Sequence, residues 1–280
     1  MVGRVEVRMG RTSPSVEGAN DLLEVQVSRI YLSCMEMVRE VERDLWEMGI
    51  NVEVQSMQDK QARFMTKEVR AYSFSIVPSI AGHFDVGDMN RMVDYVFPNS
   101  TVVEYCEAEI KDRTSEKILN PGNSHKVRNQ VWSEFLHDGK FAYTYSERIT
   151  PQLMTILKEL RDKPGTRQAI INIHSNFFMT PGSWSGNPDV GDELDLDRIG
   201  GKKRIPCSMY YQLMRRNEAL ELIYTMRSCD YLTHFPVDIW LAIAMQEFAA
   251  GWLGLKCGPF HYFTGSLHAY EKDMKARGIF

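Results

Sequence analysis

Residues 204–230 read RIPCSMYYQLMRRNEALELIYTMRSCD, and the pattern of this stretch decides how the chain is built. Two strand-like runs, CSMYYQLMRR and ALELIYTMRS, flank the turn Arg216-Asn217-Glu218. The pair reads as a β-hairpin. Cys207 stands where it begins and Arg227-Ser228 where it ends, so folding the hairpin brings these residues together. A cysteine in an apolar strand is ordinarily a small core hydrophobe. A nucleophilic thiolate instead requires nearby positive charge, and Arg204, Arg227 and Arg167 are the candidate cations. An arginine fork beside a hydroxyl also suits a phosphate.

Outward from the hairpin, the spacing predicts a mixed set of elements. Apolar residues recur at helical intervals from Asn20 to Met48, with Gly49 as the stop. INVEV at 50–54 and VRAYSFSIV at 69–77 are strand candidates, and residues 101–111 read as a helix. PQLMTILKELRDKPG is an amphipathic helix, followed by the strand RQAIINIHS. Residues 180–204 read as a long loop and residues 1–17 as a loose start. DIWLAIAMQEFAAGWLG predicts a helix buried on most faces, and PFHYFTGSLHAY a strand followed by a turn. No repeat or flexible linker divides the chain. The expectation is one α+β domain with a mixed sheet, in which residues 1–90 form a helix-and-strand extension packed on a core of residues 91–280.

The bulk composition fits this reading. The chain has 280 residues, 44% of them hydrophobic and 25% charged, as in an ordinary globular protein. Five cysteines form no CxxC pair and no zinc-spaced cluster, which predicts a reducing, cytoplasmic setting and no metal. No apolar run reaches membrane-spanning length. A net charge of −4 argues against nucleic-acid binding but not against an arginine pocket for one phosphate.

Five short motifs carry a further reading. Pro206-Cys207 is followed by Gln212, by Arg227-Ser228-Cys229-Asp230, by Pro236-Val237-Asp238 and by Gly265-Ser266-Leu267-His268-Ala269-Tyr270. The intervals are 20 residues from Cys207 to Arg227, 31 from Cys207 to Asp238 and 30 more to His268. In order and spacing this set resembles the thymidylate synthase superfamily, and the resemblance covers residues 140–272 best. Where the synthases carry Asn to read uracil, this chain has Asp238. That exchange, Ser208 after the cysteine and the GSLHAY motif resemble the deoxycytidylate hydroxymethylase branch. For the branch that phages encode, the compartment would be the host cytoplasm.

The resemblance implies a sheet-to-sheet homodimer. It implies transfer of a one-carbon unit from 5,10-methylenetetrahydrofolate to C5 of a pyrimidine nucleoside monophosphate. Cys207 would be the nucleophile. Arg227 and Ser228 would hold the phosphate with Arg167 of the second subunit, although Gln168 replaces the family's adjacent arginine. Gln212 and Asp238 would bind the nucleotide, with Asp238 reading the base and, as a catalytic residue, neutralising the charge that builds on its N3–C4–N4 edge, while His268 and Tyr270 would bind the sugar. Asp230 would face the folate. Tyr143 is the match to an active-site tyrosine, with Tyr145 as its alternative. Glu107 is the match to the catalytic glutamate, with Glu109 as its alternative. Asp238 also has a plainer reading as a helix N-cap. Other expectations in this class are methyl transfer to the same base, and action on CMP or dUMP. A non-catalytic nucleotide binder of the same fold is the expectation outside the enzymes.

Overall fold

A computed structural model of the chain describes residues 29–55, 63–174 and 206–278. An eight-stranded mixed sheet comprises β1 (Arg29–Tyr31), β2 (Ile50–Gln55), β3 (Arg63–Ile76), β4 (Ile170–Asn172), β5 (Ser208–Arg216), β6 (Ala219–Met226), β7 (Cys229–Asp230) and β8 (Lys256–Tyr270). Its main order is β1-β3-β8-β6-β5-β4, with β2 paired to β3 and β7 to β8. The helices are α1 (Cys34–Met48), α2 (Val86–Val96), α3 (Val102–Arg113), α4 (Asn129–Trp132), α5 (Tyr145–Asp162), α6 (Phe235–Leu253) and α7 (Glu271–Ala276).

Strand alternation sorts the two faces of the sheet. In β6, Leu220, Leu222, Tyr224 and Met226 are buried while Glu221, Ile223 and Thr225 are half-exposed. Tyr211 and Leu213 of β5 and Phe260 and Tyr262 of β8 continue the buried layer. Helices α1, α2, α5 and α6 press apolar stripes into the same core. In α1 the stripe is Met37, Val38, Val41 and Leu45, spaced as a helix face requires. Asp44 is the polar member of that face. It accepts a hydrogen bond from the Tyr72 hydroxyl at 2.7 Å and pairs with Arg29 at 2.7 Å, so α1 is tied to β3 and β1.

β8 lies parallel to β6 and then to β7, and antiparallel to β3 on its other side. The register slips between β6 and β8 near Leu220–Leu222. There Gln246 of α6, fully buried, donates to the carbonyls of Leu220 and Gly258, both at 2.8 Å. These two bonds satisfy backbone groups that the slipped ladder leaves over.

Several expectations are corrected. The helix that ends at Met48 starts at Cys34, because Ser33 accepts from the Glu36 amide and caps it, and Arg29–Tyr31 pairs with β3 instead; the part of the expected helix over 20–28 lies outside the described residues. The last strand runs through Tyr270 without a turn, because Leu267–Tyr270 stays paired with β3. His234, not Asp238, occupies the N-cap of α6, and Asp238 lies one turn inside. The loose start (1–17), the long loop (180–204) and Arg204 lie outside the described residues. The strands between Arg29 and Ile76 share one sheet with those after residue 90.

Gln246→Leu leaves two buried carbonyls without donors. Unfolding in urea should register a loss of about 2–4 kcal/mol. A stability equal to wild type would mean that the slipped strands hold their register without this side chain.

Candidate active site

The β5–β6 hairpin ends as its sequence suggests. The Arg227 amide donates to the Cys207 carbonyl at 2.9 Å, which closes the hairpin mouth. The Arg227 guanidinium then reaches three groups. Nε donates to the Pro206 carbonyl at 3.1 Å, Nη1 to Ser228 Oγ at 3.0 Å, and Nη2 lies 3.7 Å from Cys207 Sγ. Ser228 Oγ is 3.8 Å from the same sulfur. Cys207 is half-buried, whereas Cys34, Cys106, Cys229 and Cys257 are buried. Burial raises the pKa of all four, to about 12 for Cys34, so they remain thiols at neutral pH.

These groups open onto a cavity of about 520 Å³. Helix α6 brings Asp238 to it. Pro236 sits in the first turn of α6, and Gly254, with a φ of 67°, ends the helix in the left-handed conformation. The Cys229 thiol lies 3.9 Å from Asp238 Oδ2, on the donor side of that contact because burial keeps it protonated. β8 contributes His268 and Tyr270, two residues apart on one face, with ring centroids 5.5 Å apart in an edge-to-face contact. Burial lowers the His268 pKa, so the ring is neutral at pH 7. Asp230 also lines the cavity. Burial raises its carboxyl to about 6, against the opposing hydrogen bonds from Thr233 and the Leu232 amide.

The opposite wall comes from α3, α4 and the start of α5. Thr144 and Glu147 form a capping box that fixes the first turn of α5 and, with it, Tyr145. The Tyr145 hydroxyl is 3.2 Å from Ser208 Oγ, which is 2.5 Å from the Tyr224 hydroxyl. The Arg113 guanidinium stacks over the Tyr145 ring at 3.9 Å and donates to the Tyr211 hydroxyl at 3.3 Å. Burial raises the pKa of Tyr145, Tyr211 (to about 12) and Tyr224, so the network is a chain of neutral hydroxyls beside β5, the strand that follows Cys207.

The cavity thus gathers Cys207, Arg227, Ser228, Asp230, Asp238, His268, Tyr270 and Tyr143. Tyr145 lines it too, and it is the tyrosine that hydrogen-bonds the residue after the cysteine. The structure does not bring Glu107 there, because it lies on the exposed side of α3. Glu109 faces inward, but its carboxylate is taken by Arg113 at 2.8 Å and by Ser124 Oγ at 2.6 Å. Arg167 is exposed and off the cavity. Gln212 projects from the other face of β5 and donates to the Arg167 carbonyl at 2.9 Å. Sequence reasoning missed Arg113, Arg128, Tyr105, Trp132, Glu68 and Lys272 on the cavity wall. The match on α3 pointed to Glu107 and Glu109 only, and no motif spacing links Arg113, Arg128, Tyr105 or Trp132 to the hairpin.

Comparison with known proteins gives this geometry a family. The chain is 28% identical over 166 residues to the deoxyuridylate hydroxymethyltransferase of Bacillus phage SP01, a match that covers 53% of this chain and 39% of that protein. It is 26% identical over 224 residues to a putative thymidylate synthase of Methanocaldococcus jannaschii, covering 70% of this chain and 90% of the relative. The fold superposes on thymidylate synthase from T4 phage with a TM-score of 0.59 at 16% identity, covering 87% and 79% of the two chains. It superposes on thymidylate synthase A from Bacillus subtilis with a TM-score of 0.58 at 14% identity, covering 88% and 82%. The thymidylate synthase family itself matches residues 110–277, a span that holds the whole β5–β6 hairpin, α6 and the β8 motif. On that match, well over half its length, the chain belongs to the thymidylate synthase family.

Proposed function

We propose that this protein transfers a one-carbon unit from 5,10-methylenetetrahydrofolate to C5 of dCMP, giving 5-hydroxymethyl-dCMP. The observation that carries the reading is the grouping of Arg227 and Ser228 around the half-buried Cys207 sulfur in a cavity that also receives Asp238. Pyrimidine C5 is a weak nucleophile. Addition of the Cys207 sulfur to C6 makes C5 an enamine-type carbon able to attack the donor's methylene. A guanidinium beside the sulfur stabilises its negative charge. The same fork and Ser228 suit the 5′-phosphate, which would fix the base over the sulfur.

Asp238 supports cytosine over uracil. Cytosine presents an N4 amino donor and an N3 acceptor, and uracil the reverse. A carboxyl accepts from N4 and shares a proton with N3, and it meets the charge that builds along this edge after addition. The neutral His268 ring and the Tyr270 hydroxyl suit a sugar hydroxyl. Asp230 would face the folate. Loss of the C5 proton and release of tetrahydrofolate would leave an exocyclic methylene; water adds there and the Cys207 sulfur leaves C6, and the likeness to the hydroxymethylase branch favours water over hydride from the folate at this step. The second reading is dUMP as substrate, and the specific observation favouring it is the name of the phage SP01 relative.

We also propose a two-fold dimer through the open sheet face. Ile170, Gln212, Ile223 and His261 form one cross-strand row there, and Tyr210, Thr225 and Phe263 the next. Ile170 and Phe263 are 40% and 39% exposed, large apolar surface for a face that no partner covers. Arg167 is exposed beside this face, and in such a dimer it would reach the second subunit's phosphate. Ile223→Lys puts a charge at its centre. Sedimentation should then show a dimer turning to monomer, with turnover lost in parallel. A wild-type monomer with full activity would end the dimer proposal.

The product mass formed from each pyrimidine monophosphate with methylenetetrahydrofolate tests the reaction. A gain of one hydroxymethyl group on dCMP is expected, and no product from any nucleotide would leave only a binding protein. Asp238→Asn tests the base reading. Its amide NH₂ opposes the N4 amino group, donor against donor, so preference should move from dCMP toward dUMP by about 5- to 150-fold in kcat/KM. Unchanged selectivity would withdraw Asp238 from base recognition.

A further inference from the structure

The cavity wall beside His268 and Tyr270 carries a carboxylate, Glu68, that the reaction described above leaves without a task. Glu68 stands on β3, and its Cα partner across the ladder is His268 of β8. On the other side of β8, Asp230 of β7 is also paired with His268, so the three residues form one cross-strand row. Two residues along β3, Thr66 stands opposite Tyr270. Paired residues face the same side of a sheet, and all five line the cavity.

The neighbouring polar groups are committed to the protein. Asp230 Oδ1 accepts from the Leu232 amide at 3.1 Å, and Thr66 Oγ1 donates to the Val52 carbonyl at 3.0 Å. Ser266 Oγ lies 3.2 Å from His268 Nδ1, which leaves Nε2 as the ring's other polar atom. Glu68 differs. Its side chain is 15% exposed, and among the described residues its ion-pair partner is Arg70 Nε at 3.4 Å, from a side chain that is 66% exposed. A pair with so exposed an arginine is weak. Lys272 of α7, a cation on the same wall, stands instead over the Phe64 and Tyr270 rings at 5.2 and 5.6 Å. The charge of Glu68 reaches His268, where it opposes the lowering that burial imposes on the imidazole pKa. A carboxylate accepts up to about four hydrogen bonds, so Glu68 keeps room for a donor from the cavity.

A pyrimidine nucleoside monophosphate offers few such donors. Its phosphate repels a carboxylate and suits Arg227 and Ser228. The amino group of the base suits Asp238, and the 3′-hydroxyl suits His268 and Tyr270. The donor that remains is the 2′-hydroxyl, which ribose has and deoxyribose lacks. Resting on the function proposed above, we infer that Glu68 accepts a hydrogen bond from a sugar 2′-hydroxyl. The site then takes the cytidine ribonucleotide as well as the deoxyribonucleotide, and holds the ribonucleotide more tightly. A hydroxyl donating to an ionised carboxylate makes a bond about twice as strong as one between neutral groups.

The test is calorimetry of the full chain with CMP, dCMP and 3′-deoxy-CMP, for the wild type, Glu68→Gln and Glu68→Leu. Product mass from CMP and dCMP with methylenetetrahydrofolate is measured alongside. CMP should bind the wild type about 10-fold more tightly than dCMP, the scale of one hydrogen bond to a charged group. In Glu68→Leu that ratio should fall to about 1, chiefly through loss of CMP affinity. Glu68→Gln keeps a carbonyl acceptor and should retain part of the ratio. 3′-Deoxy-CMP keeps the 2′-hydroxyl and should lose affinity in Glu68→Leu as CMP does. A side chain that only shaped the wall would weaken CMP and dCMP together and leave their ratio as it was, and that result overturns the inference. Equal affinity for CMP and dCMP in the wild type overturns it too. So does tighter CMP binding in Glu68→Leu, which would make the carboxylate a fence against the hydroxyl. If the ratio depends on Glu68 but neither nucleotide is turned over, the reaction proposed above fails and this assignment stands. If dCMP is turned over while the ratio is independent of Glu68, the assignment fails and the reaction stands. If neither nucleotide binds, both fail.

Discussion

The guanidinium of Arg227 is the junction on which the site depends. It holds the Pro206 carbonyl, the Ser228 hydroxyl and the Cys207 sulfur at once, and its own amide closes the hairpin on the Cys207 carbonyl. A strand must pass close behind it. At Gly265 of β8, an added Cβ would stand 2.8 Å from the Arg227 carbonyl oxygen, so only glycine lets β8 approach. Just beyond that contact, β8 turns from β6 to β7 as its parallel partner and carries His268 and Tyr270 into the cavity. The spacing of three motifs is thus one geometric condition: the hairpin end, the glycine, and His268 with Tyr270 meet around a single side chain.

The surroundings hold several titratable groups neutral. Burial keeps Cys229 a thiol, His268 an unprotonated imidazole, and Tyr145, Tyr211 and Tyr224 as phenols. Where packing excludes water, the remaining charges act strongly on one another and on a ligand. The wall opposite the hairpin adds buried arginine, paired at Arg113 and open to the cavity at Arg128. One end of the cavity gathers Arg227, Ser228 and Asp238, and the other the arginines and aromatic rings of α3 and α4.

Much of this was legible in the sequence, for physical reasons. The hairpin alternates with a period of two, α5 and α6 carry their helical patterns over several turns, and the motif intervals fix which strand ends meet. What could not be read was contact between segments with no common period. Arg113 and Arg128 look like ordinary surface charges in a polar stretch, and only the packing of α3 and α4 against the hairpin buries them. Glu107 and Glu109 are two residues apart on a helix and so face different ways, but the sequence does not say which faces in. The expected helix ran through Ile30 because its apolar spacing continues there, but a short parallel strand takes that residue. Gln212 and Arg167 carry matching motifs, yet they lie on the open face of the sheet, outside their own chain's cavity.

The central claim is that Cys207 forms the bond to the pyrimidine. The direct test is mass spectrometry of the protein after incubation with 5-fluoro-dCMP and 5,10-methylenetetrahydrofolate. Fluorine at C5 cannot leave as the proton does, so the adduct should accumulate. The account predicts an intact-mass gain equal to nucleotide plus folate, located by digestion on the peptide containing Cys207 and absent in Cys207→Ala. An adduct on another residue, or product formation by Cys207→Ala near the wild-type rate, would contradict it.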